Sequence, residues 1–233
     1  MEQCQIEKGV TLALIPAHNE AGRIGTVVAG ARLNMPVLVV DDGSTDATAY
    51  EASAFGATVI RQWPNQGKGA ALQAGFRWAL QNGYAIVITL DGDGQHDPGE
   101  IPRFLECHAV TRADLIIGAR DFAGMPFGRR LANSLGRILF SWALGRYIAD
   151  NQSGYRLVSS RLMQAVLSSS EHGFELEVDM IITAVHNGYH LEWLPIRTIY
   201  AGQASHIHAL SHVLHFLRMV WRARHHCKTS PCP

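Results

Sequence analysis

The chain has 233 residues, 47% of them hydrophobic, which suits one α/β domain with a sizeable core and excludes a disordered chain. Lysine plus arginine and aspartate plus glutamate each number 20, so the net charge is zero and no global attraction draws the protein to nucleic acid. The four cysteines, Cys4, Cys107, Cys227 and Cys232, have neither the density of a disulfide framework nor the spacing of a zinc knuckle, and no window reaches the roughly 18 uncharged apolar residues of a membrane span.

Short β-branched runs alternate with helix-like stretches along the first half. Thr11 to Ile15, Val37 to Val40, Ala57 to Arg61, Ala85 to Leu90 and Asp114 to Gly118 read as strands. Val37-Leu38-Val39-Val40 and Ile86-Val87-Ile88 are continuously apolar, as strands covered on both faces are. The alternation therefore predicts an α/β fold: a mostly parallel, Rossmann-like sheet with helices on both faces. After Arg120, Gly124, Pro126 and Gly128 mark a loop. Arg129 to Ile148 then reads as a long amphipathic helix, with Leu131, Leu135, Ile138, Leu139 and Trp142 on one stripe.

These features predict one domain spanning 1–233, with a ligand-binding half at 1–120, a second half at 121–233 and a C-terminal helix at 206–225. In that helix Leu210, Val213, Leu214, Leu217, Val220 and Trp221 are followed by arginines, a pattern that suits packing on the domain or lying on a membrane surface. The N-terminus shows no charged segment followed by an apolar run. The expected location is cytoplasmic, with membrane contact only peripheral.

In a parallel sheet, ligands bind beyond the carboxyl ends of the strands, and the polar clusters fall there. Asp91-Gly92-Asp93 follows the fourth strand, with Gln95 and His96 behind it. Two carboxylates two residues apart on such a loop can share a hard cation, Mg²⁺ or Mn²⁺, whose other sites go to phosphate oxygens and water. A plain Asp-Gly turn explains the glycines but not the second acid. Asp41-Asp42-Gly43-Ser44 ends the second strand, where Asp42 can accept from a base or ribose. Asn19-Glu20 follows the first strand and Arg120 the fifth. Asn65-Gln66-Gly67-Lys68-Gly69 lacks the spacing of a nucleoside-triphosphatase loop, and no Gly-x-Gly-x-x-Gly opens the first helix. His206, His208, His212 and His215 read as a helix face rather than a metal site, because no supporting acid lies nearby.

Together, Ile15 to Glu20, Val39 to Thr48, Asn65 to Phe76, Thr89 to Pro98, Ile117 to Arg120 and Asp150 to Leu157 resemble the family 2 glycosyltransferases of the GT-A fold, and among them the polyprenyl-phosphate sugar synthases. The resemblance implies that Pro16, Ala17, Glu20, Val40 and Asp42 hold the nucleotide of a GDP- or UDP-sugar, with Lys68, Asp91 and Gly92 in the same donor site. Asp91, Asp93 and Gln95 would surround the Mg²⁺ or Mn²⁺, with Asp93 and Arg120 acting on the departing diphosphate. Asp150 would orient or deprotonate the acceptor, and Ser153 and Arg156 would bind it.

The activity so implied is inverting transfer of a sugar to a polyprenyl phosphate at a membrane surface. A phosphate acceptor, with a second pKa of about 6, is already largely ionised at neutral pH and needs no general base, whereas a hydroxyl acceptor does. The competing readings are transfer to a soluble or lipid hydroxyl, a nucleotidyltransferase, and a nucleotide-sugar binding protein without turnover.

Overall fold

The five apolar runs form β1 (Thr11–Ala17), β2 (Val37–Asp42), β3 (Thr58–Gln62), β4 (Ile86–Thr89) and β5 (Leu115–Arg120). The structure, a computed structural model, describes residues 11–120, 127–167 and 175–197 together with Trp221 and Arg224. β1 and β2 run further than their apolar cores, so Pro16, Ala17, Asp41 and Asp42 stand on strand ends rather than in loops.

The helices between them are α1 (Ile24–Arg32), α2 (Thr48–Ala54), α3 (Lys68–Gln81) and α4 (Ile101–Thr111). Successive strand residues face opposite sides, so each strand feeds two cores. Leu12 and Leu14 join Leu38, Val40, Leu72 and Phe76 on the α3 side. Ala13 and Ile15 join Val37, Val39, Val28 and Phe104 on the side of α1, α2 and α4. Burying one such Leu, Ile or Phe side chain contributes about 1.5–3 kcal/mol.

The second half adds α5 (Phe127–Leu144), β6 (Arg156–Ser159), α6 (Ser160–Val166), α7 (Glu175–His186) and β7 (Leu191–Ile196). α5 stops at Leu144, short of the expected Ile148, because Gly145 takes a left-handed φ of 64° that ends the helix. β6 and β7 have no counterpart in the strand pattern read from the sequence. The seven strands lie in the order β3-β2-β1-β4-β6-β5-β7, all parallel except β6, which is antiparallel to both its neighbours.

This one reversed strand shapes the site. Because β6 runs backwards, the loop that enters it, Asp150 to Gly154, arrives at the same rim as the loops that leave β1, β2, β4 and β5. Thr89 of β4 is in register with Arg156, and its hydroxyl donates to the Gly154 carbonyl at 2.7 Å. No helix among the described residues is long and apolar enough to cross a membrane. Apart from Trp221 and Arg224, the expected C-terminal helix and its histidines lie outside the described residues.

Candidate active site

The β1 and β2 ends are tied into one wall. Asn19, at a left-handed φ of 56°, donates its N–H to Ser44 Oγ at 2.9 Å and accepts the Thr45 N–H on Oδ1 at 2.9 Å, while Glu20 N–H donates to Thr48 Oγ1 at 2.7 Å. Asp42 accepts the Gln66 and Gly67 N–H groups on its two carboxylate oxygens at 2.8 and 2.7 Å, which pins the loop entering α3. Asp41 holds Arg61 Nε at 2.9 Å and the Ser44 N–H at 3.0 Å. Gly43 is required here: its φ is 74°, and a Cβ would stand 2.7 Å from Asn65 N. The side chains of Ala17 and Val40 lie in the core, so their part in a nucleotide site is to shape the wall, not to reach the ligand.

The loop after β4 packs onto this wall through Gly92, whose absent Cβ would sit 3.3 Å from Glu20 Cγ and 3.5 Å from Ala17 Cβ. Asp91 Oδ1 is 2.5 Å from Lys68 Nζ, and the same ammonium is 2.9 Å from Glu177 Oε1 of α7. Burial alone would raise the Asp91 carboxyl. The Lys68 ammonium, with Arg120 behind it, outweighs burial and brings it down to about 2. Burial would likewise lower Lys68, but its two carboxylates hold it well above its ordinary value. His96 is buried and therefore kept below its usual range, so its neutral Nδ1 accepts the Asp91 N–H at 3.1 Å.

Asp93 accepts the Gln95 N–H at 2.9 Å. Burial raises the Glu20 carboxyl, and although Arg23 pairs with it at 2.5 Å, the charges of Asp93 and Asp91 push it further up. The rim thus carries an excess of negative charge. Asp91, Asp93 and Gln95 offer oxygen donors of the hard kind that suits Mg²⁺ or Mn²⁺, and they fit such an ion. Among the described residues no group of three His, Cys, Asp or Glu side chains is gathered for a metal, and the remaining positions of an ion here would go to water or to substrate oxygens.

Across the rim Arg120 donates from Nε and Nη2 to the two oxygens of Asp150 at 2.7 and 3.0 Å, a bidentate pair. Asp150 also accepts the Gln152 N–H at 3.0 Å and is 1% exposed. Both oxygens of Asp150, expected to orient or deprotonate the acceptor, are engaged and shielded in this arrangement. Arg156 departs further from expectation. It is fully buried, and its guanidinium donates to the carbonyls of Ser153, Glu177 and Asn151, so it scaffolds the rim and does not meet an acceptor. Ser153 is also buried, and its Oγ has no hydrogen-bond partner.

The rim therefore gathers Glu20, Asp42, Lys68, Asp91, Gly92, Asp93, Gln95, Arg120 and Asp150 from the residues expected in the site. Glu177 and His96 were not among them. His96 sits in the Asp91 loop and was legible by position. Glu177 reads in sequence as one of three acids opening a helix, Glu175, Glu177 and Asp179, in a stretch where the family resemblance also implies acids near the site, and packing singles it out among them.

The sequence profile described as Glycosyl transferase family 2 matches residues 13–163. The chain is 34% identical over 205 residues to the undecaprenyl-phosphate mannosyltransferase of Micrococcus luteus, covering 79% of this chain and 82% of that one. It is 31% identical over 202 residues to the polyprenol monophosphomannose synthase of Mycolicibacterium smegmatis, covering 80% and 76%. The crystal structure of glucosyl-3-phosphoglycerate synthase from Mycobacterium tuberculosis with Mn²⁺, uridine-diphosphate-glucose and phosphoglyceric acid has a TM-score of 0.71 at 19% identity, over 94% of this chain and 80% of that one. That likeness shows the fold, a GT-A sheet. With the profile and the two enzymes covering most of its length, the chain belongs to glycosyl transferase family 2.

Proposed function

We propose that the protein moves a sugar from a nucleoside-diphosphate sugar onto a polyprenyl phosphate in one inverting displacement. Two of its relatives are named for undecaprenyl-phosphate and polyprenol acceptors and for mannose, which makes a mannosyl donor the first to test. The observation that carries the acceptor is Asp150: the one acid that sequence offers as a base is 1% exposed and bound bidentately to Arg120. An Asp150 held in this way suits an acceptor that arrives ionised and needs no base, as a phosphate monoester does.

In this reading the β1–β2 wall takes the nucleotide, with Glu20 and Asp42 at its edge. A divalent ion held by Asp91, Asp93 and Gln95 would supply positive charge for the diphosphate as it leaves. Arg120, oriented by Asp150, presents a permanent cation on the same rim, placed to favour negative charge that grows during transfer. His96 fixes the Asp91 backbone by accepting the Asp91 N–H on Nδ1.

A polyprenyl acceptor resides in a bilayer, so the protein must reach a membrane surface, on the cytoplasmic side in this reading. Support comes from α5, which exposes Ile138 and Trp142, and from the exposed Trp221; Arg224 lies over the Trp142 ring at 4.7 Å from its centroid. Amphipathic aromatic and arginine side chains of this kind favour the membrane interface.

The test offers the same donor to a polyprenyl phosphate and to the corresponding polyprenol. Product from the phosphate alone is the expected result, and equal transfer to the alcohol would overturn the acceptor assignment.

A further inference from the structure

Lys68 stands between two carboxylates that come from distant parts of the chain. Its Nζ is 2.5 Å from Asp91 Oδ1 and 2.9 Å from Glu177 Oε1. Glu177 is 4% exposed and sits in the first turn of α7, outside the span 13–163 that the family profile matches. The approach of the three groups is close enough to dictate a neighbour: a Cβ on Gly154 would lie 2.9 Å from Asp91 Oδ1, from Glu177 Oε1 and from Lys68 Nζ alike. The backbone beneath is fixed by Arg156, which donates to the Glu177 carbonyl, and by Thr89, which donates to the Gly154 carbonyl.

An ammonium has three N–H donors, and in a half-buried site each carboxylate that takes one loosens its hold on the other. Lys68 and a divalent cation also compete for Asp91, because each neutralises the same carboxylate. Glu177 changes that competition twice. It draws part of the Lys68 ammonium away from Asp91, and it adds a negative charge to the cluster. Both effects favour a cation on Asp91.

We propose that Glu177 is a positioning residue for the donor site, sharing the Lys68 ammonium with Asp91 and so setting how tightly Asp91 and Asp93 hold a divalent cation. This inference rests on the metal reading of Asp91 and Asp93 given above. It assigns α7, a helix of the second half, control over the metal affinity of the first. It also gives Lys68 and Glu177 opposite effects: loss of the Lys68 charge frees Asp91 for the metal, whereas loss of the Glu177 charge returns the lysine to Asp91.

The test is the binding of Mn²⁺ alone, followed by the electron paramagnetic resonance signal of the free ion, so that no turnover enters the readout. Glu177→Gln keeps the shape and an acceptor oxygen for Lys68 but removes the charge. It is expected to weaken Mn²⁺ binding about tenfold, a typical size for coupling between contacting charges. Lys68→Met is expected to tighten Mn²⁺ binding. In the Lys68→Met background, Glu177→Gln is expected to lose the larger part of its effect and keep only that of the missing charge, whereas Glu177→Asp with Lys68 in place is expected to bind Mn²⁺ more tightly than Glu177→Gln.

Wild-type affinity in Glu177→Gln, or an undiminished effect of that change without Lys68, would overturn the proposal. A loss of fold in Glu177→Gln, read from thermal melting, shifts the decision to Lys68→Met, where weaker Mn²⁺ binding would overturn it. Asp93→Ala separates the two levels. If that variant binds Mn²⁺ as wild type does, the metal reading itself fails; if it loses Mn²⁺ while Glu177→Gln does not, only the role of Glu177 fails.

Discussion

Asp150 accepts from Arg120 Nε, Arg120 Nη2 and the Gln152 N–H, and this network gives it the task of aiming a guanidinium. Removing one partner of a buried pair leaves the other uncompensated, at a cost of about 3–5 kcal/mol. Asp150→Asn is therefore expected to lower the melting temperature and to reduce kcat more than the donor KM, because Arg120 loses its orientation. The pH–rate profile of the residual activity should keep its acidic limb. Loss of that limb in the variant would mark Asp150 as a base after all.

Gly154 gives a second residue-scale prediction. A Cβ there meets three charged atoms at 2.9 Å, so Gly154→Ala must push apart Lys68, Asp91 or Glu177. Overpacking of this kind costs about 1–3 kcal/mol. Denaturant titration should show that loss together with weaker metal activation. A variant as stable and as active as wild type would mean the cluster is looser than its distances indicate.

At the scale of elements, the helices and strands were legible to different depths. β1, β2 and β4 announce themselves as apolar runs because both their faces are covered, and this holds whatever lies beside them. β6 has only four residues, Arg156-Leu157-Val158-Ser159, and opens on an arginine. Its identity depends on pairing with β4 and β5, partners from far along the chain, and on carbonyls that accept from the buried guanidinium. No local pattern carries that information. The same holds for Glu177, whose helix was foreseen but whose partner, Lys68, was not.

α5 illustrates a different ambiguity. Its apolar stripe suited either packing in the core or lying on a membrane surface; Phe140, Ala143 and Leu144 are buried, whereas Ile138 and Trp142 of the stripe are exposed. If this exposed face meets the bilayer, Trp142→Ala is expected to reduce co-flotation with vesicles containing anionic lipid several-fold. Turnover of a short, water-soluble prenyl phosphate should be unchanged. Equal vesicle binding by the variant would place the contact elsewhere.

For the molecule as a whole, the net charge of zero hides a strongly polarised rim. Acids from the end of β2 and from the loops after β1 and β4 gather there, and Glu20 is raised by burial and by Asp93 and Asp91, whereas the cations Lys68 and Arg120 are each held by acids. The sheet order brings these groups together, and it was only partly legible: the five parallel strands were read in their right places, but the antiparallel insertion of β6 that closes the rim was not. The loops after β1, β2 and β4 were correctly marked as the polar edge, because in a parallel sheet the carboxyl ends share one side whatever the order. What each acid does there depends on hydrogen bonds across the rim, which residue type alone does not determine.

The most direct test of the account measures transfer from a panel of GDP- and UDP-sugars to a polyprenyl phosphate, with Mn²⁺ or with chelator, in wild type and Asp93→Ala. The account predicts transfer from one donor that requires both the metal and the lipid phosphate and falls by at least two orders of magnitude in the variant, the size of effect found when one electrostatic stabiliser is removed. Transfer that survives chelation or the loss of Asp93 would contradict it.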